Sequence, residues 1–116
     1  MTARADDEIL TAISFDAPKG GYAYEKQKRK IGDYATAAAA VTLRLSGGAV
    51  SEAAIAMTNL SDTPVFAAEA GAALVGGPPE PARIDAAVAA ALAVIDPAED
   101  NRGPVAFKMH VAGVML

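Results

Sequence analysis

The sequence changes its hydrophobic period near its middle, and this change restricts the fold more than any other feature. Up to Thr58, apolar residues alternate with polar or small residues, as in β-strands whose side chains point to opposite faces in turn. After Asp62-Thr63-Pro64 they recur at spacings of three and four, which is typical of packed helices. Strands followed by helices predict an α+β domain, with three helices layered on one face of a three- to four-stranded antiparallel sheet.

Turn-forming residues divide the first half into strands. Ser46-Gly47-Gly48 predicts a hairpin between two long strands, because glycine tolerates the positive φ of tight turns. The strand after the turn covers Val50–Thr58. The strand before it contains Val41–Leu45, and residues 35–40 are assigned to it although their alanines also suit a helix. Two earlier strands are predicted over Glu8–Phe15 and Gly21–Lys28.

Capping residues and prolines mark the helices of the second half. Asp62 or Thr63 suits a helix N-cap and Pro64 a first helical turn. The helices are predicted over Val65–Leu74, from Glu80-Pro81 to Asp96-Pro97, and from Gly103-Pro104 onwards. A chain of 116 residues predicts one domain, with a linker and first strand in 1–20, the sheet in 21–60 and the helices in 62–116.

Composition excludes several kinds of chemistry. The chain has no cysteine, so it cannot form a disulfide, an iron–sulfur cluster or a thiolate zinc site. One histidine argues against a site built on imidazoles, and a net charge of -4 opposes binding of nucleic acid over the whole surface. No apolar run is long enough to span a bilayer and the acidic start does not resemble a secretory signal, so the cytoplasm is the expected location.

The segment from Tyr24 to Tyr34 concentrates cations, an acid and two aromatic rings beside Gly32. One interpretation is a solvated strand end, whose lysines prevent pairing with other sheets. A second interpretation is stacking on nucleic acid, which the acidic net charge disfavours. The residues alone leave these interpretations open.

Other polar and sulfur-containing residues have structural interpretations. His110 is predicted to lie on the surface or at a helix end, since no catalytic partner for it is evident. The acids between the last two helices are predicted to cap them, and three methionines are predicted to fill the core. These residues are Asp96, Glu99 and Asp100, and Met57, Met109 and Met115.

Several stretches resemble one family closely. The run from Gly21 to Val41 resembles the opening of the C-terminal domain in FAD-binding medium subunits of aerobic carbon monoxide dehydrogenases, which are molybdenum hydroxylases related to xanthine dehydrogenase. Residues 2–3 and 8–13 resemble the stretch that joins the FAD-binding domain of that family to this one. The likeness continues through Leu60–Pro64, Asp96-Pro97, Arg102–Pro104 and Met109–Leu116. It implies a sandwich of strands followed by helices, as the hydrophobic period predicts independently.

The resemblance implies which residues lie near the flavin. The family pattern has a lysine on a strand, an acid, and an aromatic or branched residue beside the isoalloxazine ring. By position, Lys26 matches the lysine, Asp33 the acid and Tyr34 the ring neighbour. Lys28 takes the place of Lys26 if the loop differs in register by one turn. The resemblance assigns no catalytic residue and no metal ligand to this chain.

The resemblance also implies partners. In the family, the glycine-rich loops that hold the FAD pyrophosphate belong to an N-terminal domain, so this chain alone is expected to bind little or no FAD. The implied partners are that N-terminal FAD-binding domain, an iron–sulfur small subunit and a molybdenum large subunit. A sheet face near residues 35–40 is expected to be exposed without them, which allows a homodimer. The alternative function is a free-standing interaction or dimerisation module without flavin.

Overall fold

The computed structural model describes residues 3–17 and 19–116. Within these ranges four strands precede three helices, which confirms the predicted α+β class. The strands are β1 (Gly21–Gln27), β2 (Ala37–Ser46), β3 (Ala49–Thr58) and β4 (Val65–Phe66). The helices are α1 (Ala68–Leu74), α2 (Pro81–Leu92) and α3 (Val105–Met115).

The strands form one antiparallel sheet in the order β1-β2-β3-β4, so each strand pairs with its neighbour in sequence. The predicted hairpin is confirmed, because Ser46 pairs with Ala49 and the two glycines between them have φ of 59° and 83°. Arg44 pairs with Glu52 whereas Leu45 pairs with Val50, so the register shifts by one residue there. This β-bulge keeps the apolar side chains of both strands on the same face.

Alternation along the strands separates two faces. We call the face under the helices the helix face; its side chains belong to the hydrophobic core, namely Ala37, Ala39, Val41, Leu43, Val50, Ala53, Ile55 and Met57. We call the opposite face the open face. It carries Tyr22, Tyr24, Lys26, Ala38, Ala40, Thr42, Ala54, Ala56, Thr58 and Phe66, as the cross-strand pairing places them.

The core lies between the helix face and the helices. Met57, Leu60 and Val50 are its largest fully buried side chains. Helix α1 packs on β3 and α3 packs on β2 and β1, while α2 packs against both helices. Gly71 permits α1 to approach β3 closely, because a Cβ atom at this position would lie 2.7 Å from the Ala53 carbonyl oxygen. Met57 is buried and Met109 and Met115 pack against the core, which confirms their predicted role.

The strand predicted over residues 8–15 does not form, and that prediction was wrong. This segment has no secondary structure, and its apolar side chains are exposed, with Ile9 and Phe15 each 85% exposed. An alternating pattern becomes a strand only when a neighbouring strand supplies backbone partners. Among the described residues no strand pairs with this segment.

The first helix also begins later than predicted. Val65 and Phe66 pair with Met57 and Ala56, and the Ala67 N–H donates to the Ile55 carbonyl, so this segment extends the sheet. Neither Asp62 nor Thr63 caps α1, whose N-cap is Ala67 without a side-chain hydrogen bond. Helix α2 begins at the predicted Pro81 but ends at Leu92, about one turn before Asp96. Within the described ranges, none of the helices is long and apolar enough to cross a membrane.

Candidate functional site

The candidate site lies at one end of the sheet, around the loop of residues 28–36 that joins β1 to β2. Lys26 lies near the end of β1 on the open face, opposite Ala38, and is half-buried. Lys28 is exposed where the loop leaves β1, and Asp33 and Tyr34 come just before β2. The fold thus brings the four predicted site residues to the same end of the sheet.

Asp33 is held by three neighbours. Its carboxylate accepts a hydrogen bond of 2.9 Å from the Tyr34 N–H and one of 3.2 Å from the Arg29 side chain. Arg102 lies 3.9 Å away, and the Asp33 side chain is only 11% exposed. Desolvation raises the pKa of Asp33, but these hydrogen bonds and positive charges together outweigh it and lower the pKa below its usual value. The carboxylate therefore orders the loop instead of acting as an acid near neutral pH.

Tyr34 presents its ring outwards. The side chain is 81% exposed, yet the Arg102 guanidinium lies 5.7 Å from the ring centroid, within the range of a cation–π contact. The ring borders a shallow groove that is lined by Tyr34, Ala35, Thr58, Asn59 and Arg102. An exposed ring whose backbone is fixed offers a flat apolar surface to a planar ligand.

Asn59 fixes the far end of the loop. Its side-chain amide donates hydrogen bonds of 2.7 Å to the Ala35 carbonyl and 3.1 Å to the Thr36 carbonyl. The residue has a φ of 62°, a left-handed conformation that asparagine tolerates better than most residues. The Thr36 N–H donates in turn to the Gln27 carbonyl at 2.8 Å, so both ends of the loop are tied to the sheet.

Arg102 belongs to a second group of charges, in the loop between α2 and α3. Asp100 accepts a hydrogen bond of 2.8 Å from the Arg102 N–H and lies 3.0 Å from the Lys108 amine. Lys108 is almost fully buried on α3 and also donates to the Ala98 carbonyl at 2.7 Å. The hydrogen bond from Lys108 is the main cause that lowers the pKa of Asp100, and the Arg102 N–H adds to it.

These contacts correct the predicted helix caps. The N-cap of α3 is Pro104, without a side-chain hydrogen bond, so Asp100 holds Lys108 and Arg102 instead of capping a helix. Asp96 and Glu99 do not cap α3 either. His110 is exposed on α3, as predicted.

Sequence reasoning did not identify Arg102, Asn59 or Lys108 as part of the site. Lys108 carried a usable signal, because it shares the buried side of α3 with Val111 and Ala112. A lysine on an apolar helix face requires an acidic or carbonyl partner, and Asp100 lies close by in the sequence. Asn59 and Arg102 gave no comparable local signal, since their partners in the loop lie more than 20 residues away.

The donor set suits a planar ligand that carries negative charge. Lys26 supplies a cation on the open face, Tyr34 supplies a ring, and Arg29 and Arg102 are already engaged by Asp33. The glycine pairs at 47–48 and 76–77 lie in turns, Gly21 begins β1, and none of these glycines opens a phosphate-binding helix. These glycines therefore supply no phosphate-binding turn, and the polar groups of the candidate site lie around the loop of residues 28–36.

The fold and this surface define a class: an α+β domain that presents an ordered polar wall at one end of its sheet. Residues 22–116 match the family of the CO dehydrogenase flavoprotein C-terminal domain, and the chain belongs to this family. This finding confirms the resemblance found in the sequence.

Two characterised relatives agree. The chain is 53% identical over 118 residues to the carbon monoxide dehydrogenase medium chain of Afipia carboxidovorans and 41% identical over 118 residues to that of Hydrogenophaga pseudoflava. All of this chain aligns in both cases, but it spans only 41% of each relative's length. Among solved structures, a reconstituted CO dehydrogenase from Oligotropha carboxidovorans matches with a TM-score of 0.79 and 56% identity, covering 82% of this chain and 33% of that one.

Proposed function

We propose that this domain forms one wall of the FAD isoalloxazine site in the flavoprotein subunit of a carbon monoxide dehydrogenase-like molybdenum hydroxylase. In that role it helps electrons pass from the iron–sulfur clusters of a partner subunit to FAD. FAD, when bound, supplies the electron-accepting ring. The domain supplies charge, stacking surface and exclusion of water at one side of that ring.

One observation carries the proposal: the loop from 28 to 36 is tied down at both ends, while the Tyr34 ring near its β2 end is left exposed. A solvated strand end does not require the Asn59 amide, the Thr36–Gln27 hydrogen bond and the charges around Asp33. Ordering a loop costs conformational entropy. A loop that is ordered by so many contacts and still exposes an aromatic ring suits stacking against a ligand.

Lys26 supplies the electrostatic part of the proposal. A cation close to the isoalloxazine ring stabilises the negative charge that the ring gains on reduction. At about 4 Å and an effective dielectric constant of about 20, this attraction is roughly 4 kcal/mol before desolvation. Lys28 remains the alternative cation if the exposed start of the loop approaches the ring instead.

The open face suits the N-terminal FAD-binding domain as its partner. Small side chains at its centre allow close packing, and Tyr22, Tyr24 and Phe66 are 76%, 58% and 66% exposed. The expected exposure of residues 35–40 requires a correction, because Ala37 and Ala39 lie in the core and Ala38, on the open face, is also buried. Ala40 lies on the open face, half-buried between its neighbours.

The isolated chain is expected to be colourless, since the described residues supply a single wall. The iron–sulfur small subunit and the molybdenum large subunit are the proposed further partners, and the cytoplasm is the proposed location. Purified protein that retains a stoichiometric yellow chromophore through gel filtration would contradict this part of the proposal.

The site is tested in a full-length subunit that includes the FAD-binding half. Lys26→Met removes the cation at similar volume, so the reduction potential of the flavin is expected to fall, with about 30 mV for each 1.4 kcal/mol. Tyr34→Ala is expected to alter flavin absorbance and acceptor kinetics, whereas Tyr34→Phe keeps the ring and is expected to preserve them. Lys30→Met is the matched control in the same loop. If Lys26→Met and Tyr34→Ala both behave like the parent, the segment is a solvated strand end.

A free-standing dimerisation module is the second candidate, and the exposed aromatic residues of the open face favour it. The two candidate functions predict different association states in solution. A dimer whose contacts cover Tyr24 and Phe66, and which persists when a separately expressed FAD-binding domain is added, supports the module. Displacement of the dimer by that domain supports the flavin wall.

A further inference from the structure

Arg102 makes two long-range contacts that nothing in the family pattern assigns. It lies in the loop before α3, yet its guanidinium sits over the Tyr34 ring, with 5.7 Å between its central carbon and the ring centroid. The same group lies 3.9 Å from the Asp33 carboxylate. Arg102 therefore lies against the two loop residues that the family resemblance places near the flavin.

The arginine is itself held in place. Its backbone N–H donates a hydrogen bond of 2.8 Å to the Asp100 carboxylate, and one nitrogen of its guanidinium lies 3.7 Å from the same carboxylate. Lys108 anchors Asp100 from α3, and the Lys108 side chain is only 3% exposed. The chain of contacts thus runs from a buried helix position to the exposed ring of Tyr34.

Hydrogen bonds alone do not account for the burial of Arg102. Its side chain is 18% exposed, and the buried Nε–H has no acceptor among the residues that the structure describes. The side-chain contacts that the guanidinium makes are the charges of Asp33 and Asp100, a hydrogen bond of 3.4 Å to the Asn101 side-chain oxygen, and the face of the Tyr34 ring. A planar guanidinium satisfies this geometry, whereas a lysine amine supplies a point charge without a stacking plane.

We infer that Arg102 is a positioning residue that fixes Asp33 and Tyr34 in the orientation from which they face the ligand. It acts through these two residues and does not itself contact the flavin. The inference rests on the proposed function only for the identity of that ligand. The positioning of the loop is a property of this chain and can be measured without flavin.

The test uses the 116-residue chain, with backbone amide exchange and the ring-proton NMR signals of Tyr34 as readouts. Arg102→Met is expected to speed exchange of the amides of residues 30–35 by about tenfold, the effect of losing a partly buried cation–π contact and a charge pair. The Tyr34 ring signals are expected to move towards those of free tyrosine. The pKa of Asp33 is expected to rise, because one of the charges that lower it is gone.

Two variants separate positioning from general destabilisation. Arg44→Met removes an arginine from an exposed ion pair with Glu52 at the other end of the sheet and is expected to leave both readouts unchanged. Arg102→Lys retains the charge, so it is expected to keep the fold even if Arg102→Met does not. It should still release the Tyr34 signals, because the stacking plane is lost. Exchange in the β2–β3 hairpin reports the integrity of the fold in each variant.

The inference is overturned if Arg102→Lys leaves the Tyr34 signals at their parent positions, or if a folded Arg102→Met keeps the parent exchange rates in the loop. If the inference holds, Arg102→Met is expected to shift the flavin absorbance of a flavin-loaded full-length subunit in the same direction as Tyr34→Ala. If Arg102→Met loosens the loop while neither variant changes the flavin, positioning stands and the proposed function fails.

Discussion

The two faces of the sheet are built from the same strands but have different partners. On the helix face, Met57 and Ile55 are 0% and 4% exposed under α1 and its neighbouring helices. On the open face, Phe66 and Tyr24 are 66% and 58% exposed, although both residues are paired with a neighbouring strand. For these large apolar side chains, burial therefore follows from the face that each one occupies, and not from how apolar it is.

The open face is not built like an ordinary solvated surface. One-sided antiparallel sheets usually alternate apolar residues towards the core with polar residues towards water. Here the centre of the open face carries Ala40, Ala54 and Ala56, with aromatic rings around them. Small residues bordered by exposed aromatic rings are typical of a surface that another protein part covers. The helix face is thus a closed core, whereas the open face is the surface that we propose the FAD-binding domain covers.

The largest effect is expected from a cavity under the helices. Met57→Ala is expected to lower the free energy of unfolding by about 3 kcal/mol, since the fully buried side chain leaves a space that the core cannot refill. Phe66→Ala on the open face is the matched control, with an expected loss below about 1 kcal/mol. Denaturant unfolding measures both. Equal losses would mean that the two faces do not differ in burial in solution.

A smaller loss is expected where α1 approaches the sheet. Gly71→Ala places a Cβ atom 2.7 Å from the Ala53 carbonyl oxygen and is expected to cost about 2 kcal/mol. Gly113→Ala on α3 meets only an ordinary contact, 3.6 Å from Leu92, and is expected to stabilise the helix by about 0.5 kcal/mol. Opposite signs in thermal unfolding are the decisive observation. A stabilising Gly71→Ala would show that α1 does not pack this closely.

The charged groups at the loop end give a pH-dependent effect. The pKa values of Asp33 and Asp100 are lowered from 3.8 in the folded chain. As the pH falls through this value, the unfolded chain therefore binds more protons than the folded chain does. Their contribution to stability is present above pH 3.8 and is lost as the pH falls through the lowered values. Asp100→Asn is expected to be less stable near neutral pH and to lose less stability on acidification. A parallel acid titration of both proteins by circular dichroism tests this, and identical slopes would contradict it.

The smallest effect on stability is expected on the open face. Ala40→Arg adds a long charged side chain at a half-buried position that the helices do not cover, so the free energy of unfolding is expected to change by less than about 0.5 kcal/mol. Binding of a separately expressed FAD-binding domain is nevertheless expected to be lost. Calorimetric titration measures the binding. Thr42→Arg, on the same face but nearer the hairpin, is the control and is expected to weaken the binding less. Undiminished binding by Ala40→Arg would place the interface elsewhere.

Local patterns predicted most of the fold where partners are close in sequence. The glycines at 47–48 set the hairpin, and Pro81 marks the start of α2. The pattern of residues 8–15 predicted a strand because alternation records which residues suit a strand and not whether a neighbouring strand exists. Pro64 similarly predicted a helical turn, whereas pairing with β3 holds the next two residues extended.

The candidate site likewise contains residues that local sequence patterns identify and residues that they do not. Asp33 and Tyr34 belong to a concentrated polar segment and could be singled out from the sequence. Arg102 and Asn59 could not, because their role depends on the packing of distant loops against the end of the sheet. The sequence identifies residues of the proposed wall, and contacts with distant loops order them in the fold.

The segment of residues 9–15, which precedes β1 and has no secondary structure, affects how the chain behaves in concentrated solution. Residues 9–15 contain no charge and no proline, are rich in β-forming side chains, and are exposed. Such a stretch has the composition of cross-β aggregation motifs. β1 is an edge strand whose outer backbone groups are unpaired among the described residues. We therefore expect that polar or charged substitutions in residues 9–15 reduce aggregation of the separated domain. Substitutions in its core are expected to affect aggregation much less.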